Sequence, residues 1–289
     1  MSRMVINGIE IAYELLGAPS GQAVALTPGG RFALDTPGLR ELGERLVAGG
    51  MRVLLWDRPN CGASDISFEG EDESSLHADT LAVLIRSLGL GPTALAGGSA
   101  GSRVSLMTAA RHPDLVSHLV LWWISGGPIG LMTLAGYYCG ASAIQAVRGG
   151  MAAVADLPAW AEQIARNPRN RDILLAQDPS VFIATMQRWA SFYRPADDTP
   201  VPGLPPAAID RIKAPVMILR NGLSDLSHPR ETSDWLGELM PGADMRDPPW
   251  PDDEWNQRSM ARDRGEAPGL FVNWPSLDPL ILEHIAKSA

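Results

Sequence analysis

The chain contains few cysteines and fewer basic than acidic residues, and each of these two features excludes a class of protein. Two cysteines, Cys61 and Cys139, in 289 residues cannot form the disulfide framework of a small secreted domain. Lys213 and Lys287 are the only lysines, and the formal net charge is −9. Because nucleic acids and anionic membranes attract basic surfaces, we expect neither as a partner.

Long hydrophobic runs are also missing. The first residues, "MSRMVINGIEIAYELLG", lack the apolar block of a signal peptide, and no run approaches the ~18 apolar residues that span a membrane. We therefore expect a cytoplasmic protein, monomeric or homodimeric, that acts on a small molecule without a membrane partner. With 45% hydrophobic residues, the chain can form one large α/β domain, with or without an inserted subdomain.

Sequence signatures of metals and nucleotides are absent too. The chain has no pair of histidines four residues apart and no Cys-x-x-Cys pair. It also lacks a glycine-rich phosphate-binding loop. We therefore expect neither a metal nor a cofactor.

What the sequence does contain is an alternation of strand-like and helix-like segments. The predicted strands are "SRMVI", "IEIAYELLG", "AVALT", "RVLLWD", "TALAG", "LVSHLVLWWIS", "APVMILRNG" and "ADMRD"; the predicted helices are 36–48, 75–90, 100–111, 229–240 and 275–289. Asn7-Gly8 predicts a hairpin between the first two strands. Strands that alternate with helices indicate an α/β fold with a mainly parallel sheet.

The stretch 126–209 breaks this alternation. It is rich in Trp, Met and Tyr, has helical spacing, and closes with the proline-rich "RPADDTPVPGLPP". We predict an inserted helical cap over 126–209 and a core domain formed by 1–125 and 210–289.

The stretch "LAGGSAGSR" contains Gly97-Gly98-Ser99-Ala100-Gly101, a match to G-x-S-x-G. In this pattern a nucleophilic serine occupies a tight strand-to-helix turn, and the small neighbours permit the strained backbone. A glycine-rich bend without chemistry is the alternative. The strand before Ser99 and the helix after it favour the nucleophile.

Taken with its neighbours in chain order, this motif resembles the nucleophile elbow of the α/β-hydrolase family. "LTPGGR" is similar to the family's oxyanion loop, "WDRPNCGASD" to its turn after the fourth strand, and "PVMILRNGLSDLSHP" to the strand and loop that carry the catalytic acid. The resemblance implies Ser99 as nucleophile and Asp225 as acid. It also implies oxyanion donors from the backbone N–H groups of Ala100 and Gly30.

The resemblance fails at the base. The family's histidine is expected near residue 250, where this chain has "RDPPWPDDEWNQR". His228, three residues after Asp225, is our predicted base. An Asp-x-x-His loop can hold both the base and the carboxylate that orients it. The alternatives are His284, a carboxylate of Asp252, Asp253 or Glu254, and the substrate itself as the group that takes the proton. A carboxylate base would need a raised pKa.

Three residues are predicted to contact substrate: Arg31, Trp123 and Trp250. Arg31 and Arg103 could each hold a substrate carboxylate, and the alternative is an ion pair with Asp57, Asp65 or Asp35. An arginine in a first helical turn opposes the helix dipole, so we expect Asp57 or Asp65 beside Arg103. Cys61 is expected to be structural.

The aromatic and Met-rich stretch favours a hydrophobic or aromatic ligand. We therefore predict a serine hydrolase that cleaves an ester, or less readily an amide or carbon–carbon bond. A lyase, a cofactor-free oxygenase or a ligand-binding protein without activity are the alternatives on the same fold.

Overall fold

A computed structural model describes residues 1–223, 225–266 and 269–287. The strands are β1 (Ser2–Ile6), β2 (Ile9–Leu16), β3 (Ala23–Thr27), β4 (Arg52–Trp56), β5 (Thr93–Gly98), β6 (Val116–Trp122), β7 (Val216–Leu219) and β8 (Asp244–Arg246). The helices around the sheet are α1 (Leu39–Ala48), α2 (Glu73–Ser87), α3 (Ala100–Arg111), α10 (Arg230–Leu239), α11 (Glu254–Asp263) and α12 (Asp278–Ala286). Between β6 and β7 lie α4 (Pro128–Ala135), α5 (Ala141–Ala155), α6 (Pro158–Arg166), α7 (Arg169–Leu175), α8 (Pro179–Phe192) and α9 (Pro206–Ile209).

The strands form one eight-stranded sheet in the order β1-β2-β4-β3-β5-β6-β7-β8. β1 and β2 are antiparallel, β2 is antiparallel to β4, and every other pair is parallel. Asn7 and Gly8 both have positive φ, as the predicted hairpin requires. The predicted α/β fold with a mainly parallel sheet is confirmed.

β5 lies in the interior of the sheet, between β3 and β6. All six residues of Thr93–Gly98 are buried. Separate apolar clusters cover the two faces of the sheet, so a segment that follows β5 starts from a rigid base. In parallel sheets of this kind, ligands bind beyond the carboxyl ends of such central strands.

The helices α4–α8 have a hydrophobic cluster of their own. Its large members are Trp160, Trp189, Phe182, Met186 and Tyr193. Much of the Trp, Met and Tyr content of this stretch is therefore internal packing. The boundaries 126–209 and the role of the insertion as a cap stay predictions.

The structure corrects three sequence-based assignments. A helix, α11, occupies part of "PDDEWNQRSMARD", where none was predicted, because its polar sequence has no apolar stripe. α1 begins at Leu39 instead of 36, since Gly38 has φ of 91°. α12 begins at Asp278 instead of 275, and the end of that predicted helix, 288–289, lies outside the described residues.

Candidate active site

Ser99 occupies the turn between β5 and α3. Its φ is 58° and its ψ is −119°, a conformation that a residue with a side chain rarely adopts. Such strain at a strand-to-helix turn is the expected backbone of a nucleophile elbow. The chain therefore holds the Ser99 hydroxyl at the carboxyl end of the central strand.

The glycines around Ser99 are required by close packing. A Cβ atom on Gly101 would lie 2.0 Å from the carbonyl oxygen of Thr27, and one on Gly97 would lie 2.6 Å from the carbonyl oxygen of Gly101. A Cβ atom on Gly98 would meet the indole nitrogen of Trp122 at 2.2 Å. The small residues of the motif thus bring helix and strand close together.

Ser99 is the first member of a buried hydrogen-bond chain. Its Oγ lies 2.9 Å from Nε2 of His228, and Nδ1 of His228 lies 2.7 Å from Oδ2 of Asp225. Ser99, His228 and Asp225 are 7%, 1% and 4% exposed. The structure therefore brings together the three side chains predicted as nucleophile, base and acid.

In the loop after β7, a single carboxylate, that of Asp225, fixes the position of His228. Oδ1 of Asp225 accepts the backbone N–H groups of Ser227 and His228, at 2.9 and 3.0 Å. This local turn folds the chain back toward Asp225, so that Oδ2 of the same carboxylate can meet the imidazole. The spacing Asp-x-x-His is sufficient to join acid and histidine within one loop.

Two tryptophans flank the His228 ring. The Trp123 ring is nearly parallel to it, with centroids 6.1 Å apart, and the Trp255 ring is edge-on at 4.5 Å. Trp123 itself has φ of 48° and is 3% exposed. Trp250, a predicted substrate contact, is partly buried and lies 5.6 Å from Trp123 between ring centroids.

The carboxylates near residue 250 are engaged elsewhere. Asp252 binds Arg230, and Asp253 accepts a hydrogen bond from Gln257. Glu254 is buried and accepts the side-chain amide of Asn273 at 2.8 Å. Within the described residues, the side-chain partners of the Ser99 hydroxyl are His228 and Ser125, the latter at 3.4 Å.

The remaining histidines lie in other contacts. His284, the alternative base, faces the carbonyl oxygen of Pro215 at 3.3 Å and packs on His118. His77 binds the carbonyl oxygen of Pro59, and His112 binds Asp79. Burial and the nearby arginines hold the pKa of His77 well below its usual value.

The loop after β3 packs directly against the elbow. A Cβ atom on Gly29 would lie 2.8 Å from Cβ of Ser99, so only glycine fits. The carbonyl oxygens of Gly29 and Gly30 both accept from the buried guanidinium of Arg58, at 3.1 and 2.6 Å. In the described part of the chain, the N–H groups of Gly30 and Ala100 have no hydrogen-bond partner, which leaves them free for an oxyanion.

Known proteins share this arrangement of sheet and elbow. A family model described as "alpha/beta hydrolase fold" matches residues 36–124. The chain has the α/β-hydrolase fold. This confirms the resemblance drawn from the sequence motifs.

Two curated relatives and one solved structure illustrate the likeness. Human serine hydrolase BPHL is 24% identical over 84% of this chain and 76% of its own. A 2-hydroxy-6-oxononadienedioate/2-hydroxy-6-oxononatrienedioate hydrolase from Burkholderia vietnamiensis is 30% identical over 42% of each chain. A meta-cleavage product hydrolase from Pseudomonas fluorescens IP01 aligns over 100% of this chain and 98% of its own, with TM-score 0.61 and 18% identity. We therefore class the chain as a hydrolase.

Arg31, a predicted substrate contact, is held in a buried ion pair. Its guanidinium donates to Glu73 at 2.7 Å and to the carbonyl oxygen of Asn60 at 3.1 Å. The rings of Tyr138 and Trp160 cover it on its flanks. Its ion pair is with Glu73, a residue that the sequence reasoning did not consider, and Arg31 is thereby occupied.

Arg103 lacks the predicted acidic partner. Its Nε donates to the Ser74 hydroxyl at 2.9 Å, and no carboxylate of the described residues forms an ion pair with it. Asp57 instead accepts the backbone N–H groups of Leu34 and Ala63. Asp65, the other expected partner, binds Asn167 and Arg169.

Cys61 is buried and unpaired. Burial raises the pKa of its thiol, which opposes formation of a nucleophilic thiolate. Across the described residues no group of three or more His, Cys, Asp or Glu side chains could hold a metal ion. None of the described helices is long and apolar enough to cross a membrane.

Sequence reasoning missed Trp255, Ser125 and Glu73. Trp255 belongs to α11, whose polar sequence concealed the helix. Ser125 follows β6 and meets Ser99 only because β6 pairs with β5. Local sequence carries no signal for contacts between such distant segments.

Proposed function

We propose that the chain is a serine hydrolase that cleaves an ester bond in a small hydrophobic or aromatic substrate through Ser99. The observation that carries the proposal is the hydrogen-bond chain from the Ser99 hydroxyl through His228 to Asp225. A serine hydroxyl is a weak nucleophile until a base takes its proton. We assign this role to His228, whose Nε2 lies 2.9 Å from the Ser99 hydroxyl oxygen.

The geometry supports a two-step acyl transfer. Ser99 Oγ attacks the ester carbonyl while its proton passes to Nε2 of His228, and Asp225 stabilises the resulting imidazolium. The negative oxygen of the tetrahedral intermediate accepts the N–H groups of Ala100 and Gly30. His228 then gives its proton to the departing alcohol. A water molecule attacks the acyl-enzyme by the same route, releasing the acid and restoring the Ser99 hydroxyl.

The preference for an ester over an amide or a carbon–carbon bond rests on chemistry. An alcohol or phenol leaves more readily than an amine or a carbanion, so the ester is the least demanding substrate for this constellation. Trp123 lies beside His228, and Trp250 lies beside Trp123. These apolar rings support a hydrophobic or aromatic group in the substrate. The two curated relatives are themselves named hydrolases.

Active-site labelling tests the proposal. A fluorophosphonate probe should label the folded protein with one probe per chain and should leave Ser99→Ala unlabelled. The same variant should lose hydrolysis of phenyl esters by roughly 10⁴-fold or more, since the hydroxyl is the attacking group. Ser105→Ala is the matched control, because Ser105 is a buried serine of the same helix whose hydroxyl has no partner within the described residues.

Two results would contradict the proposal. One is a folded wild-type protein that the probe does not label. The other is a Ser99→Ala variant that keeps more than about a tenth of the wild-type rate. The first result would favour a lyase, an oxygenase or a ligand-binding role on the same fold.

A further inference from the structure

Arg103 is a buried cation without a counter-ion among the described residues. It is 3% exposed, and its Nη1 has no hydrogen-bond partner in the described residues. Its one side-chain hydrogen bond, to the neutral Ser74 hydroxyl, uses Nε. An unpaired buried charge is costly unless a partner of opposite charge satisfies it.

The surroundings of Arg103 do not supply that negative charge. Glu73 is the nearby carboxylate, and its Oε1 already binds Arg31 and Asn60. Arg58 is also buried and forms no ion pair with a described residue, since it holds the two carbonyl oxygens of the loop after β3. His77 is kept neutral by burial, so it neither adds to this positive charge nor offsets it. Of the three buried arginines here, Arg31 alone forms an ion pair with a described residue.

One tyrosine ring packs on the Arg103 guanidinium, and a second tyrosine stacks on the first. The Arg103 guanidinium carbon lies 5.3 Å from the centroid of the Tyr193 ring, and Tyr193 stacks on Tyr138 at 5.8 Å. Both phenols are buried, and burial raises the pKa of each, so both hydroxyls stay protonated. Neither hydroxyl forms a hydrogen bond with a described residue, so both can donate to an anion.

Position connects this cluster to Ser99. Arg103 lies four residues after Ser99, about 6 Å along the axis of α3, and its backbone N–H approaches the Ser99 carbonyl oxygen at 3.4 Å. Tyr138 and Tyr193 come from the insertion between β6 and β7. The cluster therefore lies where the insertion meets the first turn of α3, which starts at the residue after Ser99.

We propose that Arg103, with Tyr138 and Tyr193, forms a subsite for a carboxylate on the acyl part of the substrate. The chain would then act on half-esters of short dicarboxylic acids in preference to neutral esters. This inference rests on the proposed function, and it narrows the substrate class. The guanidinium supplies the charge, and the two phenols supply neutral donors.

A pair of substrates tests the subsite. The monophenyl ester of glutaric acid carries the carboxylate, and phenyl hexanoate is its neutral counterpart. The readout is the ratio of kcat/KM for the anionic ester to that for the neutral ester. Removing one partner of a buried charged contact should lower this ratio roughly a hundredfold in Arg103→Met. Tyr193→Phe keeps the ring and should lower it several-fold.

Arg111→Met is the matched control, because Arg111 belongs to the same helix and loses the same charge. Its guanidinium is exposed and pairs with Asp79 on the surface. The ratio should be unchanged in this variant. An Arg103→Met ratio within about threefold of wild type would overturn the subsite, even if Ser99 labelling upholds the hydrolase.

Binding gives a measurement that needs neither turnover nor a stable Arg103 variant. Glutarate should bind the wild-type protein in calorimetry, and the neutral diamide of glutaric acid should not. Ser99→Ala should bind glutarate as wild type does, since the hydroxyl is not part of the subsite. Failure of glutarate to bind wild-type protein, or equal binding of the diamide, would overturn the proposal whatever the outcome of the labelling.

Discussion

Replacing Asp225 with asparagine tests the coupling between acid and base most directly. Oδ1 of Asp225 already accepts two backbone N–H groups, from Ser227 and His228. The oxygen of an asparagine must take that place, because an amide nitrogen cannot accept them. Its NH₂ group then faces Nδ1 of His228, where Oδ2 lies at 2.7 Å in the wild type.

This swap reverses the tautomer of the histidine. Nδ1 must accept from the new amide, so the proton moves to Nε2, which can no longer take the proton of Ser99. A wrong tautomer of this kind costs on the order of 10⁴ in rate, or about 5.5 kcal/mol in activation free energy. The fold should survive, since the two backbone hydrogen bonds are kept.

The assay is single-turnover acylation with a phenyl ester, together with the urea midpoint as a control for folding. Asp225→Asn should lose roughly 10⁴-fold in acylation rate, and His228→Gln at least about 10³-fold. The double variant should be little slower than the worse single variant, because residues that act as one unit are strongly non-additive. If the rate losses of the two single variants multiply in the double variant, Asp225 and His228 do not act as one unit. An Asp225→Asn variant that keeps most of its acylation rate would also refute this coupling.

Two further outcomes follow from packing and from burial. Gly101→Ala should destabilise the fold or displace the elbow and abolish labelling of Ser99, because its Cβ would lie 2.0 Å from the Thr27 carbonyl oxygen. Gly136→Ala is the control, since its Cβ would meet nothing within 4 Å. A Gly101→Ala protein with native labelling and native melting temperature would contradict this prediction. Burial raises the pKa of Asp57 from 3.8 to about 6. The folded state therefore binds the Asp57 proton more tightly than the unfolded state does. The stabilisation from this proton is complete below pH ~4 and is lost as the pH rises through about 6, a change of about 3 kcal/mol in the free energy of unfolding. In urea unfolding, the free energy of unfolding of wild type minus that of Asp57→Asn should fall by this amount between pH 3.5 and pH 7. A difference that stays constant with pH would disprove the raised pKa of Asp57.

Much of the sheet could be predicted from sequence because its signals are local. The strand before Ser99 and the helix after it are each continuous in the chain, and the hairpin at Asn7-Gly8 needs only two residues of positive φ. The spacing of Asp225 and His228 is local too, which is why the contact between them could be anticipated. These features depend on neighbours in the chain.

Partners from distant segments could not be predicted in the same way. An ion pair of Arg31 with Asp57, Asp65 or Asp35 was the alternative to the predicted substrate contact. The ion pair forms with Glu73, because the packing of the loop after β3 against the start of α2 selects the carboxylate. Several carboxylates were available in the sequence, and electrostatics alone does not rank them. The choice is made by tertiary packing.

The loop after β7 carries both Asp225 and His228, separated by two residues and fixed to each other by backbone hydrogen bonds. When nucleophile, base and acid come from three separate loops, the positions of all three loops must be maintained independently. Here acid and histidine are bound to each other within one loop, so a single gap, between Nε2 and the serine oxygen, determines whether the chain of hydrogen bonds is closed. Small displacements of this loop should therefore switch the site as a unit, with no intermediate state in which the histidine is aligned but has lost its carboxylate.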